Sequence, residues 1–204
     1  MISKIKNFLL LSFLIGIAGL ATIIFTITLI YPTLPDIESL SKYRPKEPLQ
    51  IFTKDNYLIQ EFGEERRDFI AIENVPQNMI NAILAIEDRR FFEHPGIDFI
   101  GIVRAAVKNF TGQSREGAST ITMQVARNFF LSSEKTFKRK INEILLSLKI
   151  ENKLSKEEIL ELYINQIYLG QRSFGFSAAA NTYFNKTLEN LNLAEITLLA
   201  GLPK

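Results

Sequence analysis

The sequence predicts a mainly α fold with one small β element, preceded by a membrane-spanning helix. Three observations carry this reading. An uncharged apolar run fills residues 8–30, two short alternating runs follow at 49–63, and from Pro76 onward apolar residues recur at helical spacing. With 204 residues the chain can build one domain with a real core.

The apolar run, Phe8 to Ile30, reads FLLLSFLIGIAGLATIIFTITLI. A helix of that length rises roughly 35 Å at about 1.5 Å per residue, enough to cross the hydrocarbon core of a bilayer. A cleaved signal peptide has a shorter apolar core and a small-x-small cleavage site. Here the run continues through Phe25, Ile27, Leu29 and Ile30 before Pro32, so it reads as an uncleaved anchor. Residues 1–7, with Lys4 and Lys6, form the expected cytoplasmic tail and place residues 32 onward outside. Residues 31–48 hold Pro32, Pro35, Pro45 and Pro48 and read as an extended linker to a domain at 49–204.

Within that domain, Leu49 to Gly63 alternates on either side of Lys54-Asp55-Asn56, a hairpin signal. Helices are predicted over 76–92, 98–110, 119–130, 135–153, 178–184 and 193–199, with 109–117 as a glycine-bearing loop. Ser155 and Glu158 have the spacing of a capping box and open one more helix. The net charge of +2 gives no sign of a nucleic-acid partner. The absence of cysteine excludes disulfides and thiolate metal sites, and a single histidine argues against a His-based metal centre.

Three segments carry candidate chemistry. In EDRRFFEHPG (Glu87 to Gly96), Glu87 continues a stripe formed by Ile80, Ile83 and Leu84 and extended by Phe91. A carboxylate there is costly unless it is paired or faces a cleft, and in a cleft it can serve as a general base. The simpler alternative pairs Glu87 with Arg90, lets His94 cap the helix, and leaves Asp88, Arg89 and Glu93 to solvent. In GASTITMQVARN (Gly117 to Asn128), Thr120, Gln124 and Asn128 make a polar strip behind a helix start that Ser119 or Thr120 caps. Either an anion site or a plain solvent face fits that pattern. In KRKINEILLSLKIE (Lys138 to Glu151), Arg139 and Lys140 stand four and three residues before Glu143. A surface ion pair explains this spacing, and so does a basic clamp for phosphate held by a carboxylate. Tyr163, Asn165 and Tyr168 fit either a cleft or, more simply, core and cap roles.

Together these segments resemble the peptidoglycan glycosyltransferases, glycosyltransferase family 51, found at the N-terminal end of class A penicillin-binding proteins and in monofunctional transglycosylases. Glu87, Asp88, Phe91, His94 and Gly96 match the first family motif and GASTITMQ the second. Arg139, Lys140 and Glu143 match the third, ILELYINQIYLG the fourth and AAANTYFNK the fifth. One departure is Met123, where the family usually has glutamine. The ending GLPK resembles the bifunctional branch, whose domain normally continues, so the chain is expected to be a fragment.

The resemblance implies a lysozyme-like, mostly helical fold with a cleft beside the membrane, and polymerisation of lipid II into glycan strands. It implies that Glu87 takes the proton from the acceptor 4-hydroxyl, and that Arg139 and Lys140 stabilise the lipid diphosphate as it leaves. Glu143 would be a second essential carboxylate, ordering those cations or a divalent metal (magnesium or manganese); no other cofactor is implied. Thr120, Gln124 and Asn128 would line the donor site, and Asp88, Phe91 and His94 would shape the cleft. The implied partners are lipid II, the lipid-linked glycan strand, the bilayer and other cell-wall synthesis proteins. The implied location is the inner membrane, single-pass, with the domain on the periplasmic side. Two rivals are a lytic muramidase, which would have no diphosphate to expel, and a non-catalytic membrane scaffold.

Overall fold

The computed structural model describes residues 2–38, 40, 43, 45, 49–112, 117–131, 134 and 136–203. The chain divides into two compact units, Met1–Asp36 and Ile37–Lys204.

The first unit is one helix, α1 (Ile2–Ile30), followed by a single 3-10 turn at Tyr31–Thr33 with Pro32 at its start. Residues Leu9–Thr33 have a mean hydropathy of 2.5 and are long and apolar enough to cross a membrane. The hydroxyls of Thr22, Thr26 and Thr28 each donate to the carbonyl four residues earlier, at 2.8, 2.8 and 2.9 Å. These three hydroxyls are thus satisfied within the helix, as an apolar solvent demands.

The second unit is helical around two small sheets. The predicted hairpin forms: β1 (Leu49–Phe52) pairs antiparallel with β2 (Leu58–Phe62). Its turn contains Asn56 at φ 62°, a left-handed conformation that asparagine tolerates. After it come β3 (Arg66–Arg67), α2 (Gln77–Glu87), α3 (Phe99–Thr111), α4 (Ile121–Phe130), α5 (Phe137–Glu151) and α6 (Lys156–Gln166). β4 (Ser173–Phe174), α7 (Phe176–Phe184) and α8 (Leu193–Ala200) complete the unit. β3 pairs in parallel with β4, a two-residue contact with no local sequence signal.

The core centres on α4, which buries Ile121 to Ala126 without a break and packs against α5 and α6. α6 contributes Ile159, Leu160, Tyr163 and Ile164, and α2, packed on α8, contributes Met79 and Ile83. Among the described residues, side-chain caps start five of the helices: Asp98 for α3, Thr120 for α4, Thr136 for α5, Ser155 for α6 and Asn192 for α8. The Ser155–Glu158 capping box forms as its spacing predicts.

Three expectations are corrected. α2 stops at Glu87, not near Phe92, because Asp88 leaves the helical region at φ −158° and turns its carboxylate toward α4. Phe91 therefore lies in a separate 3-10 turn, off the α2 stripe. The expected linker is partly core: Ile37 and Leu40 are buried, and the Tyr43 hydroxyl donates to Gln166 Oε1 at 2.8 Å. Linker positions 39, 41, 42, 44 and 46–48, and loop positions 113–116, lie outside the described residues.

Candidate active site

Where α2 ends, the chain opens a cleft of about 640 Å³. Its wall runs from Ala85 to Arg90, along α3 at Gly101, Arg104 and Lys108, across residues 117–120, and onto Gln124 and Arg127 of α4. Asp98 and Pro203 complete it. The lining carries Arg89, Arg90, Arg104, Lys108 and Arg127 against the carboxylates of Glu87, Asp88 and Asp98.

Glu87 is the last residue of α2 and is half-buried in this wall. Its Oε2 accepts a hydrogen bond from Gln124 Nε2 at 2.7 Å. Burial pushes its carboxyl above the ordinary range. The Gln124 hydrogen bond and the Arg127 guanidinium oppose that shift, and the neighbouring Asp88 adds to it. A carboxylate so placed is a better base than one in water. Arg90 does not serve as its partner: it pairs with Glu93 at 2.9 Å and with Asp98 at 3.3 Å.

The adjoining residues hold this geometry from behind. Asp88, which the simpler alternative left to solvent, is buried; its Oδ1 meets His94 Nε2 at 2.9 Å, and its Oδ2 accepts from the Ile121 amide at 3.0 Å. One carboxylate thus fixes the end of α2 and satisfies the first turn of α4, where negative charge is favoured. Thr120 Oγ1 accepts from the Met123 amide and donates to the Gly96 carbonyl at 2.7 Å. Gly96 sits at φ +87°, and a Cβ there would fall 3.0 Å from the Ser147 carbonyl and from Glu151 Cγ. Glu151 in turn takes bonds from Thr122 at 2.6 Å and Lys156 at 2.7 Å, and the Lys156 ammonium lies 4.4 Å above the Phe91 ring. Phe91 and His94 are therefore buried supports and do not line the cleft.

The cluster on α5 is a network around one buried carboxylate. Glu143 is 1% exposed and receives Arg139 Nη1 at 2.7 Å and Lys140 Nζ at 2.9 Å. Lys140 Nζ also donates to Ser119 Oγ at 2.9 Å, and Ser119 lines the cleft. The cluster reaches the cleft through that bond; Arg139 and Glu143 are not in its wall.

Of the predicted residues, the structure gathers Glu87, Asp88, Thr120 and Gln124 in one wall, with Lys140 attached through Ser119. Asn128 is exposed and outside the lining, because α4 turns its third polar position past the cleft's end. The solvent-face reading of α4 fails, since Thr120 and Gln124 are buried. Asn165 is a structural clasp, bonded to both the amide and carbonyl of Ile70. Sequence reasoning missed Arg104, Lys108 and Arg127. A signal existed: Arg104 and Lys108 are four apart, and Arg127 follows Gln124 by three, so each pair shares a helix face.

Residues 55–204 match the family described as Transglycosylase. The chain belongs to that family. It is 54% identical over 187 residues to penicillin-binding protein 1A of Neisseria gonorrhoeae, covering 91% of this chain and 23% of the relative. It is 48% identical over 201 residues to penicillin-binding protein 1A of Escherichia coli K12, covering 98% of this chain and 24% of the relative. A crystal structure of penicillin-binding protein 1A from Haemophilus influenzae aligns with 79% of this chain and 14% of its own, at 30% identity and a TM-score of 0.37. The chain thus spans about a quarter of the length of the curated relatives it matches.

This transglycosylase has, among the described residues, no cluster of three or more His, Asp or Glu arranged to hold a metal ion. Each Glu143 oxygen accepts from one cation, Arg139 or Lys140, so the carboxylate orders these two side chains.

Proposed function

We propose that this transglycosylase domain is a peptidoglycan glycosyltransferase that polymerises lipid II into glycan strands. One observation carries the reading: a half-buried glutamate with a raised pKa shares one cleft with a concentration of lysine and arginine. A base and fixed cations are what transfer from a sugar diphosphate requires.

In the proposed step, Glu87 takes the proton of the acceptor 4-hydroxyl. The acceptor oxygen bonds to the anomeric carbon of the donor chain from the face opposite the diphosphate, inverting it from α to β. The carbon–oxygen bond to the lipid diphosphate breaks, and its electron pair stays on the phosphate oxygen. Lys140, held at the cleft edge through Ser119, and Arg127 are suited to stabilise the charge that develops there. Gln124 keeps Glu87 aimed, and Glu143 keeps Arg139 and Lys140 in place. No step is assigned to a divalent cation.

Both substrates carry lipid tails, so the chemistry belongs at a bilayer surface. α1 is the proposed single-pass anchor, and Lys4 and Lys6 ahead of its apolar stretch favour a cytoplasmic N-terminus with the domain on the periplasmic side of the inner membrane. The test offers the full chain lipid II in one reaction and finished glycan in another. Long glycan from lipid II with no cleavage of finished glycan is the expected result. Cleavage of glycan without polymerisation would make the domain a muramidase and overturn the proposal.

A further inference from the structure

Lys140 lies in the first turn of α5, which packs against α4, and its ammonium carries three N–H donors. Among the described residues, that ammonium meets three acceptors. Glu143 Oε2 and Ser119 Oγ each accept from it at 2.9 Å, and the thioether sulfur of Met123 stands 3.7 Å away. Each donor thus has one acceptor, but the three are unequal. A carboxylate is a strong acceptor, a hydroxyl an ordinary one and a thioether a weak one. Met123 is 1% exposed, so water does not compete for its sulfur. The Lys140 side chain is 40% exposed, and Ser119, which it bonds, lines the cleft.

We propose that Met123 is a positioning residue for Lys140: its thioether aims the third N–H of the ammonium without holding it, so that this N–H passes to a phosphate oxygen of the substrate at the cleft edge. The exchange costs little at this position. Leaving the sulfur gives up a weak contact, while the ammonium pivots on Glu143 and Ser119. The methionine side chain, with three rotatable bonds and a polarisable sulfur, adapts to the small shift. An oxygen in the sulfur's place would retain the third N–H in a site sheltered from water, and the phosphate would have to compete with it. The loss would be felt most as the carbon–oxygen bond breaks, when the charge on the leaving diphosphate is largest. This rests on the reading of Lys140 as a cation for that leaving group.

The experiment places the full chain in liposomes beside Met123→Gln, Met123→Leu, Lys140→Ala, and each Met123 variant combined with Lys140→Ala. It measures kcat and KM on lipid II, binding of undecaprenyl diphosphate, and thermal unfolding. Glutamine is close to methionine in length and brings an amide oxygen. Met123→Gln is expected to lower kcat and diphosphate affinity about three- to tenfold each, with KM changed by less than about twofold, because the unreacted substrate carries less charge. Met123→Leu removes the sulfur, supplies no oxygen, and is expected to lose about twofold in both. In the Lys140→Ala background, where Arg127 and the other cleft cations still hold diphosphate, neither substitution changes the affinity further.

A packing effect of residue 123 would persist without Lys140, so persistence overturns the proposal. So does a Met123→Gln enzyme that matches the parent. Should Met123→Gln unfold, the leucine pair decides: no loss, or a loss that persists without Lys140, overturns the proposal. A Lys140→Ala enzyme that binds and turns over like the parent removes the reading of Lys140 itself. A weakened Lys140→Ala beside an unchanged Met123→Gln removes this inference alone.

Discussion

At the scale of single residues, the site is built by carboxylates with different tasks. Glu87 sits where burial raises its pKa and one amide aims it. Asp88, the next residue, is spent on His94 and the Ile121 amide. Glu143 is spent on two cations and is almost wholly enclosed. Removing its charge takes from Arg139, itself mostly buried, the counter-ion it has among the described residues, and frees Lys140 from one of its anchors. Glu143→Gln should therefore lower stability by about 2–3 kcal/mol and polymerisation at least tenfold. Thermal unfolding and lipid II turnover measured on the same sample check this, and an unchanged unfolding temperature would contradict it. The types and spacing of these residues were legible in the sequence. Their division of labour was not, because Asp88 and Glu87 are neighbours whose burial differs only through where α2 ends.

At the scale of elements, the decisive event is that early end of α2. Helical spacing through Phe91 gave no hint of it, since the break depends on a carboxylate-to-amide bond to α4, far along the chain. Asn128 was misplaced for a related reason: three positions four apart share a face, but the cleft extends over only part of α4. Signals that are local did transfer. The hairpin, the Ser155–Glu158 box and the positions of α3 to α8 all follow from turns, caps and periodicity. The two-residue β3–β4 pair has no such signal. Gly96 joins the elements, since only a residue without a side chain lets its carbonyl meet Thr120 while its backbone lies on α5. Gly96→Ala should cost roughly 2–4 kcal/mol, from left-handed strain plus the clash with Ser147 and Glu151. Gly201→Ala, where a Cβ meets nothing closer than 3.5 Å, is the matched control and should change stability little. Equal unfolding temperatures for the two variants would contradict this account.

At the scale of the whole molecule, the chain carries an apolar helix and a compact unit whose cleft gathers the Glu87 carboxylate and many cations. The helix was plain in the sequence because membrane length and lack of charge are written residue by residue. The start of the compact unit was not, because Ile37 and Leu40 stand among prolines that read as linker. The unit's core is organised around α4, and that helix brings Gln124 to Glu87 and its first amide to Asp88. The core and the proposed site therefore share one element, with Gln124 and Arg127 on its cleft side. The central claim is that Glu87 supplies the proton acceptor without holding the donor. Its most direct test places the full chain and Glu87→Gln in liposomes with lipid II and measures polymer formed and binding of a lipid diphosphate. The account predicts polymer reduced at least about a hundredfold with diphosphate binding nearly unchanged; polymer near the wild-type amount would contradict it.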